Sequence, residues 1–134
     1  KLGGMERSTR QRSAIRHVID AARRPLSPPE VLELAQQQVA AMGMATVYRN
    51  LKLLVDEGAV QMVTLPGDSP RYESAGHAHH HHFQCEVCGR VFDVHACPGD
   101  LSSMAPAGFQ VHHHELTLYG QCADCLQSKA APIV

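Results

Sequence analysis

The sequence predicts an α+β protein in two parts, and three observations carry that reading. Residues 9–57 hold three amphipathic helical stretches, and residues 60–73 hold a hairpin pattern. Beyond residue 83, short strand-like runs surround two Cys-x-x-Cys pairs, Cys85/Cys88 and Cys122/Cys125. Helical periodicity thus gives way to strand periodicity in mid-chain.

The first helix is read over residues 9–22, where Ile15, Val18, Ile19 and Ala22 share one face. Ser8 or Thr9 caps it, and Arg23-Arg24-Pro25 ends it. The second starts at Ser27, with Pro28 and Pro29 in the first turn and Glu30 near the positive end of the helix dipole. Its apolar face is Val31, Leu32, Leu34, Ala35 and Val39, and Gly43 breaks it. The third runs from Ala45 to Glu57 and stops at Gly58. Val47, Leu51, Leu54 and Val55 point inward, with Tyr48, Arg49 and Lys52 off that face. A hairpin follows: Val60 to Leu65, a Pro66–Pro70 turn, then Arg71 to Glu73. Three helices and a hairpin is the order of a winged helix-turn-helix DNA-binding domain, although a three-helix interaction module shows similar periodicity.

Residues 75–82 read as a linker of small residues and histidine. Phe83 to Val94 reads as a hairpin around the first Cys pair, Pro98 to Ala105 as a short helix, and Phe109 to Tyr119 as a long strand. The Ala/Pro tail after Lys129 is expected to fray.

Composition narrows the function classes. The net charge of −1 on 134 residues hides an asymmetry. The first 24 residues carry seven basic side chains against two acidic ones, whereas residues 75–134 carry two against five. A basic N-terminal face fits a polyanion partner, and it also fits a solvated helix surface. No apolar run is long enough for a membrane span and no leader-like segment is visible, so a cytoplasmic protein is expected. Paired cysteines there bind metal more often than they form disulfides. Two Cys-x-x-Cys turns brought together make the tetrahedral sulfur cage that structural Zn²⁺ prefers. Redox use of one pair would call for a βαβ setting.

The run His79–His82 stops two residues before the first pair. Strand neighbours alternate sides, so His79 and His81 point one way and His80 and His82 the other. One run can therefore serve two metal sites, or remain a solvated polar linker. His112, His113 and His114, with Glu73, Asp100 and Glu115, are further candidate ligands. The fifth cysteine, Cys97, reads as an ordinary thiol.

Three segments together resemble the ferric uptake regulator family of bacterial metal-dependent repressors. They are Ala45-Thr-Val-Tyr-Arg-Asn-Leu-Lys-Leu-Leu-Val-Asp-Glu-Gly58, close to the family's recognition helix, then His79-His-His-His-Phe-Gln-Cys-Glu-Val-Cys-Gly89, then His114-Glu-Leu-Thr-Leu-Tyr-Gly-Gln-Cys122. Thr9-Arg-Gln-Arg12 is similar to the family's first-helix signature. The resemblance implies a winged-helix DNA-binding domain (5–74), a hinge and metal-ligand segment (75–82), a small α/β dimerisation domain (83–128) stapled by a four-cysteine zinc site, and a tail (129–134). It places structural zinc on Cys85, Cys88, Cys122 and Cys125. It places the regulatory ion on Glu73, His80 and His82, and an additional ion on His79, His81, Asp100 and His114. Asp100 stands where many relatives have Glu.

The same resemblance implies a homodimer that binds a palindromic double-stranded DNA operator when its corepressor metal is bound, with no membrane or small organic substrate involved. Tyr48 and Arg49 are expected at bases, Thr46, Asn50 and Lys52 at phosphates, Arg7 in the minor groove and Arg12 along the backbone. Two departures bear on the metal. Arg24-Pro25-Leu26 lacks the histidine that iron-type relatives place before the second helix, and Glu73-Ser74-Ala75 lacks the cysteine of many zinc-type relatives. A short ligand set leans to tetrahedral Zn²⁺, hence to a zinc uptake regulator, over Fe²⁺ or Mn²⁺. The alternatives are an iron- or peroxide-responsive regulator of the same family and a zinc-buffering protein without operator specificity. An enzyme is not expected, because the His114-Glu115 pair lacks the second histidine of a His-Glu-x-x-His motif.

Overall fold

The computed structural model describes residues 2–76 and 80–128, with side chains from residue 6 onward. His79 and the 129–134 tail lie outside the described residues. The chain divides into two compact units, Lys1–His77 and Ala78–Val134.

The first unit is built on α1 (Leu2–Ala22), α2 (Pro28–Ala35) and α3 (Met44–Asp56), followed by β1 (Val60–Val63) and β2 (Arg71–Ser74). Helix α1 starts well before the capping signal at Ser8 and Thr9, and it ends where Arg23 takes a left-handed backbone (φ 56°). Helix α2 is shorter than its periodicity implied. It stops at Ala35, and Val39 and Met42 reach the core from hydrogen-bonded turns instead. The Gln36 side-chain amide secures that segment by donating to the Met42 carbonyl at 2.9 Å.

Ile15 and Ile19 of α1, Val31 and Ala35 of α2, Val47, Leu51 and Leu54 of α3, and Val60 of β1 form one buried cluster. Each large apolar side chain there contributes about 1.5–3 kcal/mol relative to exposure. β1 and β2 pair antiparallel with Val60 opposite Ser74. Leu26 adds an unforeseen third segment. Its backbone exchanges two 2.8 Å hydrogen bonds with Tyr72, binding the α1–α2 connection to the hairpin.

Glu30 ties α2 to the wing. Ser27 and Glu30 form a reciprocal capping box. The same carboxylate pairs with Arg24 at 2.9 Å and with Arg71 at 3.4 Å, and Arg71 also holds Asp68 at 2.6 Å. Tyr48, Arg49 and Lys52 stand on the exposed face of α3, with Tyr48 53% exposed.

The second unit contains β3 (His81–Cys85), β4 (Val91–Val94), β5 (Thr117–Gly120) and a short α4 (Ala123–Gln127). The sheet order is β4-β3-β5, with β4 antiparallel and β5 parallel to β3. The strand expected over 109–119 is trimmed to four residues, because β3 offers pairing only from His82 to Cys85. Phe109 stays 71% exposed. The helix expected over 98–105 reduces to a single 3₁₀ turn, Ser102–Met104. A Cβ on Gly120 would stand 3.1 Å from Phe83 Cζ, so glycine lets β5 lie close to the Phe83 ring. No helix among the described residues is long and apolar enough to cross a membrane.

Burial pushes the Glu30 carboxyl up, but its hydrogen bonds from Arg24 and Ser27 and the Arg24 charge hold it below its ordinary 4.5. Its contribution to stability is therefore complete above that value and is lost as pH falls through the depressed folded value. Glu30→Ala should cost about 1–2 kcal/mol in chemical denaturation. Glu30→Gln should flatten the acid limb of stability against pH, which acid titration followed by circular dichroism would measure.

Candidate metal centres and nucleic-acid interface

The four paired cysteines converge. Cys85 ends β3, Cys88 follows in the turn, Cys122 precedes α4 and Cys125 lies within it. Gly89 closes the first turn at φ 80°, a conformation that favours glycine, and donates its N–H to the Cys85 carbonyl at 3.0 Å. The Sγ atoms of Cys85 and Cys125 lie 3.7 Å apart and those of Cys88 and Cys122 3.9 Å apart. All four fall within 4.8 Å of one another. Tetrahedral zinc with Zn–S near 2.3 Å sets sulfur pairs about 3.8 Å apart, so the four sulfurs fit Zn²⁺.

Backbone N–H groups of Val87, Cys88 and Cys122 each point at Cys85 Sγ at 3.4 Å. Burial pushes the Cys85 thiol up, but these donors outweigh it and bring it down to about 6. Cys88 is likewise lowered against burial by Arg90, whose Nε donates to its sulfur at 3.1 Å. Arg90 also reaches Cys122 Sγ at 3.5 Å and Asp124 at 3.1 Å. Burial and the neighbouring sulfurs push Cys125 up to about 12.

The histidine run splits by face. His80 and His82 meet Asp93 of β4, their Nε2 atoms 3.1 and 3.5 Å from Asp93 Oδ1. The two rings stand 5.0 Å apart edge to face. His82 Nε2 is buried without a hydrogen bond, an orphaned lone-pair position of the kind a metal ion takes. Burial first, then the His80 ring, lowers the His82 pKa, which favours the neutral imidazole that ligates. Asp93 was not among the ligands read from the sequence. The signal lies in the antiparallel register, which sets His82 directly opposite Asp93. Glu73 belongs to the first unit, opposite Gln61 on the hairpin, and accepts that amide at 2.8 Å.

His81 turns to the other face, where its ring stacks on His114 at 5.0 Å. Asp100, read as a ligand beside them, is engaged elsewhere. Its Oδ1 accepts from the Ser102 N–H at 2.9 Å and the Ser102 hydroxyl at 2.6 Å. The third group within 4.8 Å of the two imidazoles is the Cys97 thiol. His112 and His113 are exposed.

On α3 one expectation needs correcting. Asn50 is 7% exposed and its amide donates to the Thr46 carbonyl at 2.9 Å, so it faces inward and not towards a phosphate. Arg49 leans on the Thr46 hydroxyl at 3.3 Å, and Lys52 pairs loosely with Asp56 at 3.5 Å on open surface. Arg7 and Arg12 are both exposed on α1.

Chelating the ion of the four-sulfur cage should unfold the second unit, since metal affinity there is folding energy. Amide hydrogen exchange after chelation should show protection lost in β3, β4 and β5 and retained in α1, α3 and β1. Uniform loss or uniform retention would count against a zinc staple confined to this unit.

Comparison with known proteins agrees with this architecture. The sequence model of the ferric uptake regulator family matches residues 4–119. The peroxide operon regulator of Bacillus subtilis is 32% identical over 124 residues, covering 89% of this chain and 83% of that protein. A solved zinc-bound manganese uptake regulator superposes with a TM-score of 0.72 at 25% identity, covering 84% of this chain and 87% of the other. FurB from M. tuberculosis, a zinc uptake regulator, superposes with a TM-score of 0.54 at 29% identity, covering 93% and 99%. With the family matched over most of its length, this chain belongs to the ferric uptake regulator family: it is a metal-responsive transcriptional regulator that binds DNA, and not an enzyme.

Proposed function

We propose that the protein is a homodimeric repressor that binds a palindromic operator when a regulatory metal is bound at His80, His82 and Asp93. The observation that carries this reading is the convergence of two imidazoles on one carboxylate oxygen beside the hinge segment. Glu73 precedes that segment in the chain, and His80 and His82 close it. An ion held on His80, His82 and Asp93 stiffens the end of the hinge that leads from the DNA-binding unit. Metal binding then favours one arrangement of the two recognition helices, and operator affinity follows.

Two-fold pairing is supported by β5. It is an edge strand of the three-stranded sheet, with Leu118 and Tyr119 each about half exposed. Joining edges across a two-fold axis would cover both. On each α3, Arg49 suits guanine O6/N7 and the exposed Tyr48 ring suits a thymine methyl. Thr46 and Lys52 remain for phosphates with Arg12, and Arg7 for the minor groove. Asn50 positions Thr46 from behind.

Zinc is the first reading for the regulatory ion. His80, His82 and Asp93 make three donors, which one further ligand completes to a tetrahedral shell. An iron- or peroxide-responsive regulator is the second reading. Asp93 adds a hard oxygen, and two imidazoles with carboxylates also suit Fe²⁺ or Mn²⁺ when water completes the shell. The resemblance to the Bacillus subtilis peroxide regulator favours the same alternative.

Operator binding titrated separately with free Zn²⁺, Fe²⁺ and Mn²⁺ distinguishes the two. His80→Ala/His82→Ala should lose metal-dependent operator affinity, and undiminished affinity at saturating metal would sink the hinge-switch role. Because His82 is held neutral, metal-dependent binding should persist until pH falls below its ordinary value of 6.5. Arg49→Ala should cost about 1–3 kcal/mol of operator affinity and relax specificity, whereas Lys52→Ala should reduce the salt slope by about 1.

A further inference from the structure

The geometry points to a second, thiolate-containing metal site in which Cys97 joins His81 and His114 to hold a Zn²⁺-class ion. Cys97 Sγ lies 3.4 Å from His114 Nε2. Tetrahedral zinc, with about 2.3 Å to sulfur and 2.0–2.1 Å to nitrogen, sets such a pair about 3.6 Å apart. His81 supplies the third donor from β3, its ring stacked on His114, and the three ligand atoms fall within 4.8 Å of one another. All three residues belong to the second unit, so the site does not depend on how the two units are arranged.

The residue that the family resemblance implies for this site is Asp100, whose Oδ1 accepts from the Ser102 N–H and hydroxyl. The same turn of chain brings the thiol to the imidazoles instead. Exchanging a carboxylate oxygen for a thiolate changes what the site accepts. Two imidazoles and one sulfur select borderline ions such as Zn²⁺ and Co²⁺, and discriminate against Mn²⁺ and Mg²⁺. Loading has a proton cost. The Cys97 thiol must ionise, and His81 Nδ1 accepts from the Leu116 N–H at 3.1 Å. His81 therefore joins by giving up that bond or its Nε2 proton, and uptake releases protons.

The test uses the full-length chain with zinc held in its four-sulfur cage, titrated anaerobically with Co²⁺. The wild-type protein should develop a thiolate-to-cobalt charge-transfer band. Cys97→Ser should lose it, while Asp100→Asn and His80→Ala/His82→Ala should keep it. The double histidine variant separates this site from the regulatory one, so either assignment can fail alone. In chelator competition, Zn²⁺ affinity at this site should fall at least about 100-fold in Cys97→Ser, beyond the 10–100-fold typical of a lost outer-shell partner. Zn²⁺ should also protect Cys97 from alkylation. An unchanged band in Cys97→Ser, a band lost in Asp100→Asn and kept in Cys97→Ser, or alkylation of Cys97 indifferent to Zn²⁺ would each overturn the assignment.

Discussion

The convergence of four sulfurs is the constraint on which the second half of this molecule depends. Among the described residues of that unit, Val91 is the one buried hydrocarbon side chain, beside the buried Cys85 and Cys122. Three short strands and so little apolar burial do not make an independently stable sheet. The cysteines supply what the core lacks. Cys85 anchors the end of β3, and Cys122 follows directly on β5 and Gln121. Closing the cage therefore sets β3 against β5 with Cys85 opposite Gly120.

The histidine sites inherit that register. With β3 fixed, the pairing to β4 places His82 opposite Asp93, and alternation sends His81 to the other face beside His114. A one-residue slip would exchange the faces and separate both sets from their partners. The sulfur cage thus has the least open coordination chemistry and the largest structural consequence. The arrangement also divides labour by softness. The four-sulfur set suits one closed structural ion, whereas the groups built on imidazoles suit ions that exchange.

The DNA-binding half rests on a different economy. Its helices bury a hydrocarbon core of ordinary kind, and one carboxylate organises the junction between α2 and the wing. Glu30 caps α2 and receives two guanidinium groups, so the helix start and the hairpin move together. That keeps the exposed face of α3, with Tyr48 and Arg49, in fixed relation to the wing. The buried Asn50 amide does the same within α3 by holding the Thr46 carbonyl.

Local physics wrote much of this into the chain. The three helices, their inward faces, the capping box at Ser27 and the first hairpin follow from periodicity and cap chemistry, which act over a few residues. The two Cys-x-x-Cys turns and the split of the histidine run by alternation are equally local. Tertiary structure decided the rest. Asp93 becomes a neighbour of His80 and His82 through cross-strand register, and Cys97 comes to lie beside His81 and His114 while Asp100 Oδ1 accepts from Ser102. The 109–119 strand shortened because pairing needs a partner as long as itself, and Asn50 turned inward because a helix carbonyl was within reach. Residue types and spacing determined which ligands this protein owns, and only the register of the folded chain decided which of them meet, because metal ligands separated in sequence are brought together by the backbone and not by their own attraction.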